Sequence, residues 1–174
     1  MRTQIIPLIA SAIAILLQVV VAPIMPIMSV YPNFLVPLVI VLSIVRNPDT
    51  TYWYAFVLGL ISDLLTNTPL GLTAVLLLGI SFALSRAFEV LDKTTLAMPL
   101  LAVLASMLVY QVVLAIVLAV LGSGPFMDLF VQRALPATVY GAVIGALYCL
   151  ITDKLSLQQA SHDAWTVSGT QRYR

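Results

Sequence analysis

The stretch from Tyr52 to Phe88 constrains the fold most, because it is predominantly apolar and too long for one membrane helix. A single helix over these residues would be about 55 Å long, whereas the hydrocarbon core of a bilayer is about 30 Å thick. The chain must therefore reverse, and the polar residues 66–69 mark the place. We expect Thr68 to cap a second helix that Pro69 opens, because proline suits the first helical turn.

Asp63 is a carboxylate deep inside the first helix of this predicted hairpin. It follows Gly59 by four residues, so both lie on one helical face. Counted from Tyr52, it lies about 16 Å along the helix, near the middle of a bilayer. A charged side chain there costs roughly 2.5–3.5 kcal/mol on insertion scales, so Asp63 should face protein or a water-filled recess.

Composition places the whole chain in a membrane. Only 9% of its residues are charged and 61% are hydrophobic, with a mean hydropathy of +1.09, whereas soluble domains carry about 25% charged residues. The net charge of +1 gives no reason to expect nucleic acid as a partner. The first apolar run, residues 5–22, exceeds the roughly 7–15 residues of a signal-peptide core. We expect an uncleaved first helix there.

Six apolar segments predict an all-α protein, a compact six-helix transmembrane bundle over residues 1–155 with a polar, mobile cytoplasmic tail over 156–174. Pro37 lies inside the second segment and should kink it unless neighbours compensate. With the N-terminus inside, every basic residue except Arg133 falls on the cytoplasmic side, which predicts two cytoplasmic termini. The segments are residues 5–22, 31–45, 52–65, 69–85, 95–121 and 135–151.

The sequence offers no residues for catalysis. The single histidine, His162, lies in the tail and the single cysteine, Cys149, lies in the last apolar segment, so no nucleophile has a predicted base beside it. One deep carboxylate does not make a metal site, and the glycines do not form a phosphate-binding loop. We therefore predict a protein that is not an enzyme and needs no metal or cofactor.

Asp63, Asn67 and Arg133 form the candidate polar site. Arg133 is the one opposite charge expected on the outer side, so a pair or shared network with Asp63 is one hypothesis. The alternatives are a ligand or ion bound by Asp63, a purely structural role, and a position near the outer interface because the helix is short. An ionisable group inside a membrane is a functional-site hypothesis by default.

Small and flexible side chains mark two further candidate regions. A face of the last helix with four-residue spacing lets helices approach closely, either within the bundle or against a partner's transmembrane helix; its residues are Ala137, Gly141 and Gly145. The loop after the first helix either contacts a partner or lies in the membrane interface; its candidate residues are Met25, Met28 and Tyr31.

These features together resemble the bacterial rod shape-determining protein MreD family over most of residues 1–155. The resemblance rests on six helices, the proline-containing run Tyr31–Pro37 and the run Gly59-Leu-Ile-Ser-Asp63, which is followed by Leu70-Gly71. It implies a membrane component of the cell-elongation machinery that acts with the bitopic protein MreC. Through MreC it would act with MreB and the peptidoglycan polymerase–transpeptidase pair. It further implies a fold similar to the substrate-binding subunits of energy-coupling-factor transporters. On that analogy Gly59, Asp63 and Gly71 would shape a central helical hairpin.

Two functions remain at this point. The leading one is a non-enzymatic scaffold in the bacterial inner membrane, which binds and positions MreC and the associated cell-wall synthases. The alternative is the small-molecule, vitamin-type binding subunit of a membrane transporter. That function needs several convergent polar groups in one pocket, and the outer halves of these helices offer few.

Overall fold

The structure, a computed structural model, describes residues 2–24, 31–45, 48–66, 68–90, 97–122 and 126–170. These residues form helices and no strand, which confirms the predicted all-α fold. A π-helical segment, Phe130–Ala134, joins the two last helices. The helices in chain order are α1 (Arg2–Val20), α2 (Leu35–Val45), α3 (Pro48–Leu65), α4 (Leu72–Val90), α5 (Ala97–Val120), α6 (Phe126–Leu129) and α7 (Leu135–Thr170).

The helices differ in whether they are long enough to cross a bilayer. Within the described residues, three spans are long and apolar enough by length and composition: Pro7–Ile24, Met98–Val120 and Leu135–Thr152. By contrast, α2 is only about 16 Å long, so it cannot cross the hydrocarbon core alone. The ends of such a short helix lie inside the bundle, and their backbone polar groups need partners from protein.

The central element is α2, not the predicted α3–α4 hairpin. All of its residues from Leu35 to Ile44 are buried, and it contacts α1, α3, α4, α5 and α7. The pairwise contacts place these five helices around it in that order. A helix that is hydrophobic on every side is one that is buried on every side, and Ser43 is the only polar residue in α2.

Pro37 lies at a different place in its helix than the sequence indicated. The second helix begins at Leu35, four residues later than the apolar segment does, so Pro37 falls in its first turn. Proline is tolerated in a first turn, where it interrupts little of the helical hydrogen bonding. The expected position of Pro37 inside its helix was wrong because residues 31–34 are not helical.

Polar side chains also hold the C-terminal half of α2. The Ser43 hydroxyl lies 2.7 Å from the Val39 carbonyl and 2.9 Å from the Ser81 hydroxyl of α4. Thr51, near the start of α3, places its hydroxyl 3.5 Å from the Leu42 carbonyl. These contacts join α2 to both of the helices of the hairpin.

The last helix is longer than its apolar segment. It continues without a break from Leu135 to Thr170, so the predicted boundary between residues 155 and 156 falls inside a helix. The cytoplasmic placement and mobility of the tail stay predictions.

Candidate functional site

Asp63 lies at the C-terminal end of α3, where only 2% of its surface is exposed. Its carboxylate accepts hydrogen bonds from three residues of the turn and of α4. The Thr68 hydroxyl donates to Oδ1 at 3.0 Å, and the Gly71 amide donates to Oδ2 at 2.9 Å. The Thr73 amide lies 3.1 Å from both oxygens. Both carboxylate oxygens are thus held by one short segment of the chain.

This arrangement caps the N-terminus of α4. The Gly71 carbonyl accepts the first helical bond, from the Val75 amide at 3.0 Å, so Gly71 occupies the N-cap position. A glycine has no side-chain oxygen to offer the following amides, and Asp63 supplies that oxygen from the neighbouring helix. A negative group at a helix N-terminus is further stabilised by the helix dipole.

The predicted start of this helix was wrong by three residues. Thr68 and Pro69 precede a turn in which the Leu72 amide donates to the Pro69 carbonyl at 3.2 Å, and α4 begins at Leu72. Gly71 has a φ of 90°, a left-handed conformation that favours glycine. The Thr68 hydroxyl is directed to Asp63 instead of capping its own helix.

Gly59 lies where α3 and α4 approach most tightly on this face. A Cβ atom added to Gly59 would lie 2.5 Å from the Ala74 Cα and 2.9 Å from its amide nitrogen. Those atoms belong to backbone, so neither can move aside without moving the helix. The glycine therefore allows Asp63, one turn further along α3, to reach the α4 amides.

A second helix start is capped in a similar way. The Asn33 side-chain oxygen accepts hydrogen bonds from the Leu35 and Val36 amides at 3.0 and 3.2 Å, as an N-cap residue does. Its amide group donates to the Ser62 hydroxyl at 3.0 Å. Since Ser62 precedes Asp63, the caps of α2 and α4 are connected through the end of α3.

Gln18 of α1 satisfies the irregular backbone that precedes α2. Its Nε2 donates to the Pro32 carbonyl at 3.2 Å, and its Oε1 accepts from the Phe34 amide at 2.7 Å. Non-helical backbone inside a membrane is tolerated where protein groups satisfy it. Gln18 therefore helps to make the short helix α2 possible.

Tyr110 extends the same set of contacts to α5. Its buried hydroxyl lies 3.2 Å from the Thr73 hydroxyl. We use the name polar layer for the side chains that connect α1 to α5 near the turn between α3 and α4. They are Gln18, Asn33, Ser62, Asp63, Thr73 and Tyr110.

The structure does not bring the three polar candidates from the sequence together in one described site. Asp63 is in the polar layer, whereas Asn67 lies outside the described residues. Arg133 is an exposed side chain of the π-helical segment. It is not among the hydrogen-bond partners that the described residues provide to Asp63. The π-helical segment that carries Arg133 contacts α5, the helix of Tyr110.

Of the three loop residues proposed for partner binding, the structure describes one. Met25 and Met28 lie outside the described residues, and Tyr31, just before α2, is 62% exposed. Their part in partner binding stays a prediction.

The small-residue face of α7 packs inside the bundle. A Cβ atom added to Gly141 would collide with the end of the Met107 side chain of α5. One added to Gly145 would collide with Val103 of α5 and would lie 3.5 Å from the Pro37 Cβ of α2. Both glycines are buried and Ala137 is half-buried. The contacts of the two glycines are therefore with this chain's own helices.

These contacts predict that Gly145→Ala destabilises the protein more than Gly141→Ala does. Met107 is flexible and can rotate its terminal methyl group away, whereas Val103 is β-branched and has few rotamers. We expect Gly145→Ala to lower the free energy of unfolding by about 1–3 kcal/mol and Gly141→Ala by clearly less. Unfolding of the purified variants in detergent measures the difference, and equal losses would contradict this reading of the two contacts.

Sequence reasoning missed Asn33 and Tyr110, and for Ser62, a neighbour of Asp63 in the chain, it missed the contact with Asn33. A signal for Asn33 was present, since asparagine directly before an apolar run is a typical N-cap. Ser62 and Tyr110 have no local signal, because their partners are 29 and 37 residues away in the sequence.

The fold and the polar layer define an all-α membrane protein whose buried polar side chains hold helix ends in place. Comparison with protein families gives a more specific result: the model of the family described as rod shape-determining protein MreD matches residues 2–157. This match covers most of the chain, and the protein belongs to the MreD family.

Comparisons with curated proteins and with solved structures gave no match. The expected similarity in fold to energy-coupling-factor substrate-binding subunits therefore stays a prediction.

Proposed function

We propose that this protein is a scaffold of the cell-elongation machinery in the bacterial inner membrane. It would bind an MreC-like bitopic protein and, through it, position the peptidoglycan polymerase–transpeptidase pair relative to MreB. Membership of the MreD family supports a role in determining rod shape. The partners and their arrangement belong to the proposal.

The observation that carries the proposal is that the buried carboxylate of Asp63 is bound by residues of its own hairpin. The hydrogen bonds of Asp63 come from Thr68, Gly71 and Thr73, within its own hairpin. A binding subunit for a polar small molecule needs polar groups directed at the ligand. A scaffold instead needs a fixed shape, which the polar layer supplies. Family membership also favours the scaffold over the transporter subunit.

The outward surfaces suit contacts with lipid and with a transmembrane helix. Large apolar side chains are exposed along α1, α3 and α5, and in a membrane such surfaces meet acyl chains or apolar helices. Examples on the three helices are Leu8, Ile13 and Leu16, then Trp53, Phe56 and Leu64, and then Leu101, Leu104 and Leu108.

The proposed topology has six membrane-embedded helices and both termini in the cytoplasm. The exposed Arg86 supports this orientation, because it lies about 20 Å along α4 from Thr73 and therefore at the other end of α4 from the polar layer. Arg133, exposed in the segment before α7, is the one basic residue assigned to the outer side. With the polar layer facing outward, Arg86 lies on the cytoplasmic side, as the positive-inside rule requires.

Affinity co-purification from native membranes in mild detergent tests the function. Recovery of a bitopic MreC-like protein is the expected result, and an unrelated multi-pass protein with the same tag is the control. Recovery of a transporter ATPase module or a bound small molecule in its place would contradict the scaffold.

A further inference from the structure

Gln111 of α5 is a polar side chain that the protein buries without pairing it. Only 7% of its surface is exposed, and none of the described residues forms a hydrogen bond with its carboxamide. Gln18 is buried to a similar extent, at 6%, but its carboxamide is paired on both sides, with Pro32 and Phe34. Buried polar groups are nearly always paired with protein or with ordered water. Gln111 therefore needs a partner from outside the described chain.

The packing of α5 against α7 shows what lies opposite Gln111. Val103 of α5 lies against Gly145 of α7. Met107, four residues further along α5, lies against Gly141, four residues back along α7. The two helices are thus antiparallel, and the next step of the same register places Gln111 beside the first turn of α7. That turn directly follows the π-helical segment, which also contacts α5.

This junction combines small side chains with polar groups. Ala134 and Ala137 are small, and the buried Thr138 hydroxyl donates to the Ala134 carbonyl at 2.7 Å. The hydroxyl and the carbonyl oxygen each have a lone pair left to accept a further hydrogen bond. The Ser85 hydroxyl is unpaired and fully enclosed, whereas the carboxamide of Gln111 keeps a small accessible surface. A small molecule can therefore reach it.

We propose that an ordered water molecule binds between Gln111 and Thr138 and joins α5 to the start of α7. A buried water makes about three hydrogen bonds. The carboxamide of Gln111, the Thr138 hydroxyl and the Ala134 carbonyl supply donors and acceptors for them. Ordered water and π-helical adjustments are known means of satisfying backbone groups where membrane helices depart from α geometry.

The burial of Gln111 favours water over a lipid or a partner's helix. More than nine-tenths of the side chain is covered, so the remaining opening suits a molecule of that size. Gln111 is then a positioning residue for α7, because it acts on that helix through the water. The inference concerns the interior of the bundle and is independent of the partner protein.

Nuclear Overhauser spectroscopy on wild type in detergent micelles tests the proposal, with the glutamine side chains labelled with nitrogen-15. We expect a cross-peak between water and the Gln111 carboxamide, with the sign of a long-lived bound molecule. Gln18 is the matched control, because protein groups occupy both sides of its carboxamide, and it should give no such cross-peak. Gln111→Met identifies the resonance by its disappearance, and Gln111→Asn identifies it by a shift if the first variant does not fold.

Two substitutions at Thr138 separate the bridging water from other contacts. Thr138→Val removes the hydroxyl and should abolish or strongly weaken the water cross-peak of Gln111, whereas Thr138→Ser should retain it. No water cross-peak from Gln111 in wild type would overturn the proposal. Cross-peaks with detergent acyl protons in its place would assign the carboxamide to a lipid contact. Equal water cross-peaks from Gln18 and Gln111 would show general solvent exchange and also overturn it.

Discussion

Replacing Asp63 with alanine should lower the free energy of unfolding in detergent by about 3–5 kcal/mol. The substitution leaves the Gly71 and Thr73 amides, which donate to the carboxylate at 2.9 and 3.1 Å, without their acceptor. It also removes the acceptor of the Thr68 hydroxyl. Each unsatisfied backbone group is costly in an apolar environment, so the start of α4 should unwind. Denaturant or thermal unfolding of the purified protein measures the loss.

Two variants make the Asp63 result specific. Asp128→Ala removes an exposed aspartate and should stay within about 0.5 kcal/mol of wild type. Asp63→Asn keeps one acceptor oxygen but presents a donor to the backbone amides, so it should fall between Asp63→Ala and wild type. Wild-type stability of Asp63→Ala would show that the cap of α4 is dispensable.

Replacing Gly59 with alanine should lower the free energy of unfolding by about 2–3 kcal/mol. The added methyl group would lie 2.5 Å from the Ala74 Cα, so α3 and α4 must separate to accept it. Separation also lengthens the hydrogen bonds from the Gly71 and Thr73 amides to Asp63. The variant should therefore unfold at a lower temperature or denaturant concentration than wild type in the same assay.

Gly79→Ala is the matched control for Gly59→Ala. Gly79 lies in α4, and a Cβ atom added there would meet nothing within 4 Å. Since alanine is the better helix former, this variant should be neutral or more stable by up to about 1 kcal/mol. If both variants behaved alike, the close approach of α3 and α4 would not be the cause.

The main helices could be predicted from the sequence because each is a long apolar run between polar residues. The burial of Asp63 followed from its place in such a run, and the structure gives it an exposure of only 2%. The central place of α2 was missed. Its uniformly apolar composition indicated burial, but composition alone does not say which of several apolar helices lies in the middle.

The details of the polar layer could not be predicted, because they depend on contacts between distant parts of the chain. Asp63 caps a helix that begins nine residues later at Leu72, and Gln18 satisfies backbone at Pro32 and Phe34. The start of α4 was misplaced since proline rules describe local preference, whereas the carboxylate of a neighbouring helix decides where α4 is capped. The π-helical segment before α7 has no recognisable signal in its sequence.

For a scaffold, these findings give Asp63 an indirect role. The carboxylate fixes how α3 and α4 join, the polar layer carries that geometry to α1, α2 and α5, and the outward surfaces then present a constant shape to a partner. Loss of partner binding in an Asp63 variant should accordingly follow from loss of the fold.

The measurement that tests this most directly is partner recovery against folded fraction in the same membranes. Asp63→Ala, Gly59→Ala, Gly79→Ala and wild type are co-purified at matched protein levels, and each folded fraction is determined by unfolding in detergent. We predict that recovery of the MreC-like protein falls in proportion to the folded fraction. Lost recovery from fully folded Asp63→Ala, with Gly59→Ala unaffected, would contradict the account and place Asp63 in direct contact with the partner.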